Sequence, residues 1–422
     1  MYRLDWLEQL KLGTTPPPAP EQIARVSPIV WKLGFTSLLT DISAEMVNSA
    51  LPIYLVLHLH ISPLQYGAVD AVYNGFAVAL LSIAGGLIAD RMNRQKEVAA
   101  AGYAVSAICK LLLLAAGGAW GWITAITVID RTGKGVRTAP RDALISMHTP
   151  RSLLASAFGI HRTLDACGSL LGPIIAFALL SQLPGAFDVL WVTSFVFAVL
   201  GVAVLWLFVP NPTTRIISST RPVSLRSAGA LLLLPRFRAL AGCGALLSIT
   251  TISDGFLYLM LQQKSDTALS FFPLFYVLTA CSYMLFSIPV GRCADYFGRT
   301  PVLLSGYAVL AIVYGVLLST SSMGMLAKVV CLCLLGVYYA GTEGVLMAMA
   351  SAIVPLELRT SGLAVLATFV GIAKMGSSLL CGWMWHVFGA QTSVTVFVAG
   401  LATALPVSGL WLRATRHEEI DQ

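Results

Sequence analysis

The run Leu190–Val209, LWVTSFVFAVLGVAVLWLFV, is apolar on every side. It is as long as the roughly 20 residues a helix needs to cross a bilayer. Comparable runs recur along the chain, near 29–57, 65–89, 97–118, 121–145, 154–180, 187–209, 240–262, 271–291, 301–320, 327–353, 361–386 and 392–412. A helix that is hydrophobic all round has to be buried in protein or in lipid. Only 11% of the 422 residues are charged, against about 25% in a soluble domain. The strands of a membrane β-barrel alternate apolar and polar residues, and ALLSIAGGLIA (79–89) does not alternate. The expected fold is all-α and integral to the membrane, with twelve transmembrane helices.

The placement of charge sets the expected topology. Arg and Lys collect on the cytoplasmic side of membrane helices. Segment 210–239 carries Arg215, Arg221, Arg226, Arg236 and Arg238 and no acid, and the turns near 90–97 and 292–300 carry Arg91, Arg94, Lys96, Arg292 and Arg299. The intervening turns HLHISPLQ, GGAWGW, SQLPGAFD and STSSMG are almost free of Arg and Lys. Both termini are therefore expected in the cytoplasm, in a multi-pass protein of a bacterial inner membrane. The expected divisions are a tail over 1–27, a six-helix lobe over 28–209, an Arg-rich linker over 210–239, a second six-helix lobe over 240–412 and a tail over 413–422. The N-terminus has acids and no long apolar core, so it is not a secretory signal. Leu4, Leu7 and Leu10 fit one face of a short interfacial helix, and a solvated tail fits equally well.

The formal net charge of +7 comes without an aromatic-and-basic platform, so no nucleic acid partner is expected. Most of the eight cysteines lie inside apolar runs, where a free thiol behaves as a small hydrophobe. Cys331 and Cys333 splay apart on a helix, and the six histidines show no common metal-binding face. Neither a metal nor a cofactor is expected.

The chain also repeats itself. GGLIADRMNRQK (85–96) and VGRCADYFGRT (290–300) share G-x-x-x-D with a basic residue four positions after the Asp, and they lie about half a chain apart. LPIYLVL (51–57) is echoed by FLYLMLQ (256–262). Internal repeats of this kind build transporter folds, so two six-helix lobes are expected. The first copy, with Gly86, Asp90, Arg91, Arg94 and Lys96, resembles the loop signature of the major facilitator superfamily, although Asn93 stands where that family has Gly. Gly291, Asp295, Gly298 and Arg299 form the second copy. The resemblance runs from about 28 to 412. LLTDISAEM, DRTGKGVRTAPRDALI and GIHRTLDACGSLLGP are similar to a bacterial subgroup of its permeases. The resemblance implies a cytoplasmic gate at Asp90, Arg94, Asp295 and Arg299, with Arg91 beside it. It also implies a central cavity walled by spans 1, 4, 7 and 10.

VIDRTGKGVRTAPRDALIS (128–146) reads as a loop or as a loaded helix. Asp130, Lys134, Arg137 and Arg141 fall at i, i+4, i+7 and i+11, within about 60° of one another on a helix. Arg131, Thr138 and Asp142 form a second stripe. This register predicts the second half of span 4, kinked or ended by Pro140. Asp130, Arg131 and Lys134 are expected at the substrate cavity, with Asn48 of span 1 and Lys374 of span 11. Arg137, Arg141 and Asp142 are expected at the cytoplasmic gate, with His161, Arg162 and Asp165 of span 5. Lys374 either pairs with Glu343 or faces the cavity, and Arg162 is expected to tie span 5 to span 4.

Charged groups deep in a bilayer cost several kcal/mol and face partners or water. Burial penalises an ionised carboxylate and a nearby Arg favours it. An acid that changes its Arg partner between two conformations can therefore carry a proton. Asp41 and Glu45, one turn apart in span 1, are the first candidates for coupling, and Asp254 and Glu343 follow. Mutual pairing with Arg137 or Lys134 as a packing or latching device is the competing reading. Gly168, Gly172 and Pro173 of span 5 resemble part of that family's antiporter signature, G-x-x-x-G-P-x-x-G-G, but its terminal glycines are missing, since Ile174, Ile175 and Ala176 follow.

No G-x-x-x-x-G-K-[ST] phosphate loop is present, and no catalytic constellation points to an enzyme. The leading expectation is a monomeric secondary active transporter working by alternating access, a proton-coupled antiporter exporting a small organic or amphipathic molecule. Proton-coupled uptake of an anionic solute, such as a carboxylate or metal chelate, is the alternative. A non-transporting receptor or scaffold predicts no requirement for charge in the cavity.

Overall fold

The computed structural model describes residues 26–75, 81, 84–85, 88–89, 91–92, 94–150, 153–210, 231–264, 267–319, 324–354 and 359–417. Asp90, Gly86 and Asn93, the linker arginines Arg215, Arg221 and Arg226, and the leucines of the N-terminal tail lie outside them. The helices are α1 (Pro28–Ile53), α2 (Pro63–Gly75), α3 (Gln95–Ala116), α4 (Trp120–Met147), α5 (Leu154–Gln182) and α6 (Phe187–Phe208). They continue as α7 (Pro235–Ile249), α8 (Asp254–Gln263), α9 (Pro273–Phe297), α10 (Arg299–Leu318), α11 (Met325–Ile353), α12 (Arg359–Phe388) and α13 (Ala390–His417). Among the described residues, nine helices are long and apolar enough to cross a membrane. The long helices α1 and α4 fall outside that group, and α4, with six charged residues, is the most heavily charged of the helices.

The repeat is visible in the packing. In the first half α1 packs on α5 and α6, α3 on α4 and α6, and α2 on α4. In the second half α7 packs on α12 and α13, α10 on α11 and α13, and α9 on α11. These are equivalent pairs in two bundles. Small residues let the backbones close. A Cβ on Gly168 would stand 2.6 Å from the Leu38 carbonyl oxygen, and one on Gly172 would stand 2.7 Å from that of Ile42. Gly102 and Gly133 press α3 on α4 in the same way, each 2.8 Å from the other's carbonyl oxygen. Such small-residue contacts replace the hydrophobic driving force that lipid removes.

Two sequence expectations are corrected. Pro140 does not end the fourth span, because α4 runs through it to Met147. The seventh span is not one helix over 240–262, because it breaks between Ile249 and Asp254. The residues there are Thr250, Thr251, Ile252 and Ser253. The first three are β-branched and stiff against a helix, and Ser253 stands at the N-cap position of α8 without a side-chain cap bond. The freed backbone must find partners inside the protein, since lipid offers none. The Ile252 N–H donates to the Tyr314 hydroxyl at 2.7 Å, and that hydroxyl donates to the Thr250 carbonyl at 3.2 Å. The Ser377 hydroxyl donates to the Thr251 carbonyl.

The lobes meet along α2 and α12 and along α5 and α9. Pro210 and Leu231, which flank the linker, lie at one end of the molecule, the linker end. Contact between the lobes is tight at the opposite, far end. A Cβ on Gly382 would lie 2.6 Å from the Pro63 carbonyl oxygen, and Phe177 meets Phe271 with ring centroids 5.2 Å apart. Toward the linker end α5 and α9 are less closely packed. Gly159 on α5 and Gly291 on α9 have nothing within 4 Å of where a Cβ would stand. Among the described residues, the lobes are packed tightly at the far end and less tightly between α5 and α9 at the linker end.

Tyr314→Phe keeps the ring and removes the group that holds the break. It is expected to cost about 1–3 kcal/mol, the penalty for an unsatisfied buried donor, read as a lower melting temperature of the purified protein. An unchanged melting temperature would mean that the break does not depend on this hydroxyl.

Candidate functional site: a cavity between the lobes

A cavity of about 320 Å³ lies between the lobes. Helix α1 contributes Glu45 and Asn48, and the break contributes Thr251, Ile252 and Ser253. Asp254 and Tyr258 come from α8, Tyr276, Thr279 and Tyr283 from α9, Tyr338, Tyr339 and Glu343 from α11, and Lys374 and Ser378 from α12. The break thus places the start of α8 on the wall, where Asp254 is the first helical residue. The Tyr339 hydroxyl donates to Asp254 Oδ1. Asn48 Nδ2 donates to Glu45 Oε2 at 2.8 Å, and Lys374 Nζ stands 3.9 Å from Glu343 Oε1. The Glu343 side chain remains 54% exposed, so this pair is loose and wet. Ser253 Oγ is buried and has no hydrogen-bond partner among the described residues.

Tyrosines supply most of the remaining wall. Tyr258 and Tyr276 meet edge to face with centroids 4.6 Å apart, and Tyr338 and Tyr339 lie 4.9 Å apart. The Tyr258 hydroxyl donates to Thr279 at 2.9 Å. Sequence reasoning missed these tyrosines. Their signal was present, because Tyr276 and Tyr283 are seven residues apart in an apolar run, one helical face, and each needs a partner for its hydroxyl. Asp70 was also missed, though it is a lone acid within an apolar span. It is 6% exposed, accepts from the Tyr66 hydroxyl at 3.4 Å, and accepts across the lobes from Ser378 Oγ at 2.7 Å. Asp70 and Asp254 come from different lobes and line one small void of about 50 Å³ beside the cavity.

The span-4 charges go elsewhere. Asp130, Arg131 and Lys134 were expected at the substrate cavity, but they line a separate void inside the first lobe. Asp130 pairs with Lys110 of α3 at 3.1 Å and with Arg131 at 3.0 Å. Arg131 lies over the Tyr73 ring, 3.8 Å from its centroid. The reason is azimuth. The register puts Asp130 and Lys134 on one face of α4 and Arg131 on the neighbouring stripe; Asp130 meets Lys110 of α3 and Arg131 meets Tyr73 of α2, both inside the first lobe. Arg137 lies over Tyr103 at 4.3 Å and 3.9 Å from Asp41 Oδ1, and it is 4% exposed. Arg141 grips Asp142 at 2.9 Å and donates to Ser37 Oγ of α1 at 3.3 Å.

On α5, His161 is 1% exposed, and its Nε2 and Asp165 Oδ1 have no hydrogen-bond partner among the described residues. Arg162 stands exposed. Of the gate residues at the linker end, Arg91, Arg94 and Asp295 are exposed, and Arg299 donates to the Ala348 carbonyl of its own lobe at 2.9 Å.

Two membrane-spanning bundles related by a repeat, with a polar cavity between them that is sealed at one end, define a solute transporter that works between lobes. The sequence profile of the Major Facilitator Superfamily matches residues 33–282, and the chain belongs to that family. An MFS-type transporter of Methanocaldococcus jannaschii is 29% identical over 396 residues, 90% of this chain and 95% of that protein. Among solved structures, a point mutant of the nucleoside transporter NupG superposes with a TM-score of 0.76 at 15% identity, over 91% of this chain and 99% of that one. A bacterial homologue of the human lysosomal transporter Spinster, inward-facing and unoccupied, gives 0.66 at 14% identity, over 92% and 94%. The chain is a multi-pass membrane transporter that handles a small molecule.

Asp130→Ala would leave Lys110 and Arg131 buried beside each other without their acid. Removing one partner of a buried pair costs about 3–5 kcal/mol. Thermal unfolding is expected to show that loss, with part of it recovered in the Lys110→Met, Asp130→Leu double variant. Full stability of Asp130→Ala would remove the packing role assigned to Asp130.

Proposed function

We propose that this transporter is a proton-coupled exporter of a small amphipathic organic molecule, working by alternating access with the linker end in the cytoplasm of a bacterial cell. The observation that carries this reading is the make-up of the cavity. Three carboxylates, Glu45, Asp254 and Glu343, share it with one ammonium, Lys374, and the rest of the wall is rich in tyrosine rings. Aromatic faces take up apolar and cationic solute surface. Carboxylates placed between moving lobes supply the protonatable groups. The sequence-level topology supports the orientation, since the basic turns collect at the linker end. The structural relatives carry unlike solutes by name, so the cavity rather than the likeness guides the choice of substrate.

In this reading Asp254 and Glu343 couple from the second lobe. Glu45 couples from the first, held by Asn48, and Asp41 responds to Arg137. The Asp70–Ser378 hydrogen bond and the α2–α12 contact form the far gate. Asp90, Arg94, Asp295 and Arg299 close the linker end in the opposite state, with Arg91, Arg141, Asp142, His161, Arg162 and Asp165 around them. Proton-coupled uptake of an anionic solute is kept as a second reading on one observation, Lys374 on the cavity wall. The burial of Arg131 and Arg137 in other contacts weighs against it.

The test is flux in proteoliposomes with and without a pH gradient, using substrates found by thermal-shift screening. Asp254→Asn and Glu343→Gln are expected to abolish gradient-driven flux while substrate exchange at equal pH persists. Asp41→Asn and Glu45→Gln are expected to do the same. Saturable flux that ignores the gradient would remove the proton, and full gradient-driven flux in all four variants would remove these acids from the coupling.

A further inference from the structure

Helices α1 and α5 are pressed together inside the first lobe. A Cβ on Gly168 of α5 would stand 3.1 Å from Asp41 Cβ, and one on Gly172 would stand 2.9 Å from Glu45 Cβ. Having no side chains, these glycines let the acids of α1 close on the face of α5. Asp165 comes one turn before Gly168, on the same side of the helix. Its carboxyl and that of Asp41 stand within hydrogen-bond reach of each other. An ionised carboxylate only accepts hydrogen bonds, so two of them cannot bond to each other until one carries a proton. Asp165 Oδ1 is buried and receives no donor among the described residues. A proton held between the two acids supplies the donor it lacks.

The surrounding charges are placed for an exchange of partners. On α4, Lys134 and Arg137 face Asp41, and Arg141 faces Asp165. Arg137 is 3.9 Å from Asp41 Oδ1 and lies over the Tyr103 ring of α3. Arg141 holds Asp142 at 2.9 Å and donates to Ser37 Oγ, whose hydroxyl bonds to Asp165. Neither arginine is committed to the acid it faces. On α1, Glu45 follows Asp41 by one turn, and Lys32 is more than two turns away. On α5, His161 and Arg162 precede Asp165 by about one turn. Helix α6, packed on α1, carries one charged residue, Asp188, in its first turn. Helix α9, packed on α5, carries Arg292 and Asp295, both exposed.

We propose that Asp41 and Asp165 hold one proton between them, and that this pair, inside the first lobe and apart from the substrate cavity, is a proton-loading site of the transport cycle. With the proton in place the acids bond to each other and join α1 to α5. Loss of the proton leaves two carboxylates that repel each other. Arg137 then takes Asp41 and Arg141 takes Asp165, each as an ion pair between α4 and its neighbour. A proton is all that is gained or lost, and no other reactant takes part. Glu45, one turn from Asp41, stands on the wall of the central cavity, so a shift of α1 against α4 reaches the solute directly. The role in transport rests on the proton-coupled reading above, whereas the shared proton does not.

The test is infrared difference spectroscopy of the purified full chain in lipid, titrated through neutral pH, which reads the C=O stretch of a protonated carboxyl. The wild type is expected to show one such band that disappears in Asp41→Asn and equally in Asp165→Asn, because the acid left behind ionises against its arginine. Asp165→Glu keeps the acid and is expected to shift that band, which keeps the test alive if the asparagine variants fold poorly. Two bands, each lost in only one variant, or no band that responds to either residue, would overturn the shared proton. In proteoliposomes, Asp165→Asn with a wild-type melting temperature is expected to lose gradient-driven flux. Survival of that flux would overturn the role given to Asp165 and leave the coupling to Asp254 and Glu343. A shared band in a protein whose flux ignores the gradient would remove the pair from transport, and the proton-coupled reading with it.

Discussion

Inside a bilayer a polar atom has no water to turn to, and every unusual feature of this protein answers to that constraint. The break before Asp254 exists because Tyr314 and Ser377 take over the backbone groups it releases. The charges of α4 survive burial because Lys110, Tyr73 and Tyr103 meet them. The central cavity is the place where this pairing is incomplete. Glu343 and Lys374 stand apart and half in solvent, Ser253 Oγ is unpartnered, and the space between is open. Where polar groups are paired the helices are locked, and where they are not a solute can supply the partner.

The same reasoning describes the proposed far gate. Asp70 reaches Ser378 across the lobes in a buried hydrogen bond, next to the close approach of Gly67 and Gly382. A bond of this kind is strong in a dry setting and weak once water enters. Parting the lobes at the far end exposes both partners to water and removes most of the gain. That makes the closed end firm without making it permanent.

Much of the fold was legible in the sequence because its signals are local or periodic. Apolar length sets the spans, the G-x-x-x-D repeat sets the two lobes, and the i, i+4, i+7, i+11 register makes 128–146 a helix. Several cavity residues were legible for the same reason. Glu45, Asn48, Asp254, Glu343 and Lys374 are polar groups in helices that are otherwise oil, and all five line the cavity. The direction in which α4 turns its charged face was not legible. Periodicity fixes which residues share a face but not which neighbour that face meets, and here the charges of α4 meet α1, α2 and α3 within the first lobe. The tyrosine wall was hidden because Tyr counts as apolar in a hydropathy pattern, although its hydroxyl is what the cavity uses. The break was hidden because Thr250, Thr251 and Ile252 are compatible with a helix until Tyr314, far along the chain, offers a better arrangement.

The central claim is that the lobes rock about the cavity, closing one end as the other opens. Distances between paired spin labels test it most directly, with one pair at Leu64 and Trp383 on the far end and another at Met92 and Tyr296 on the linker end, all exposed positions. Labelled protein in lipid nanodiscs would be measured at high and low pH, with and without a transported solute. The account predicts that the two distances change in opposite directions, the far pair lengthening as the linker-end pair shortens. Two distances that stay fixed under every condition, or that lengthen together, would contradict it.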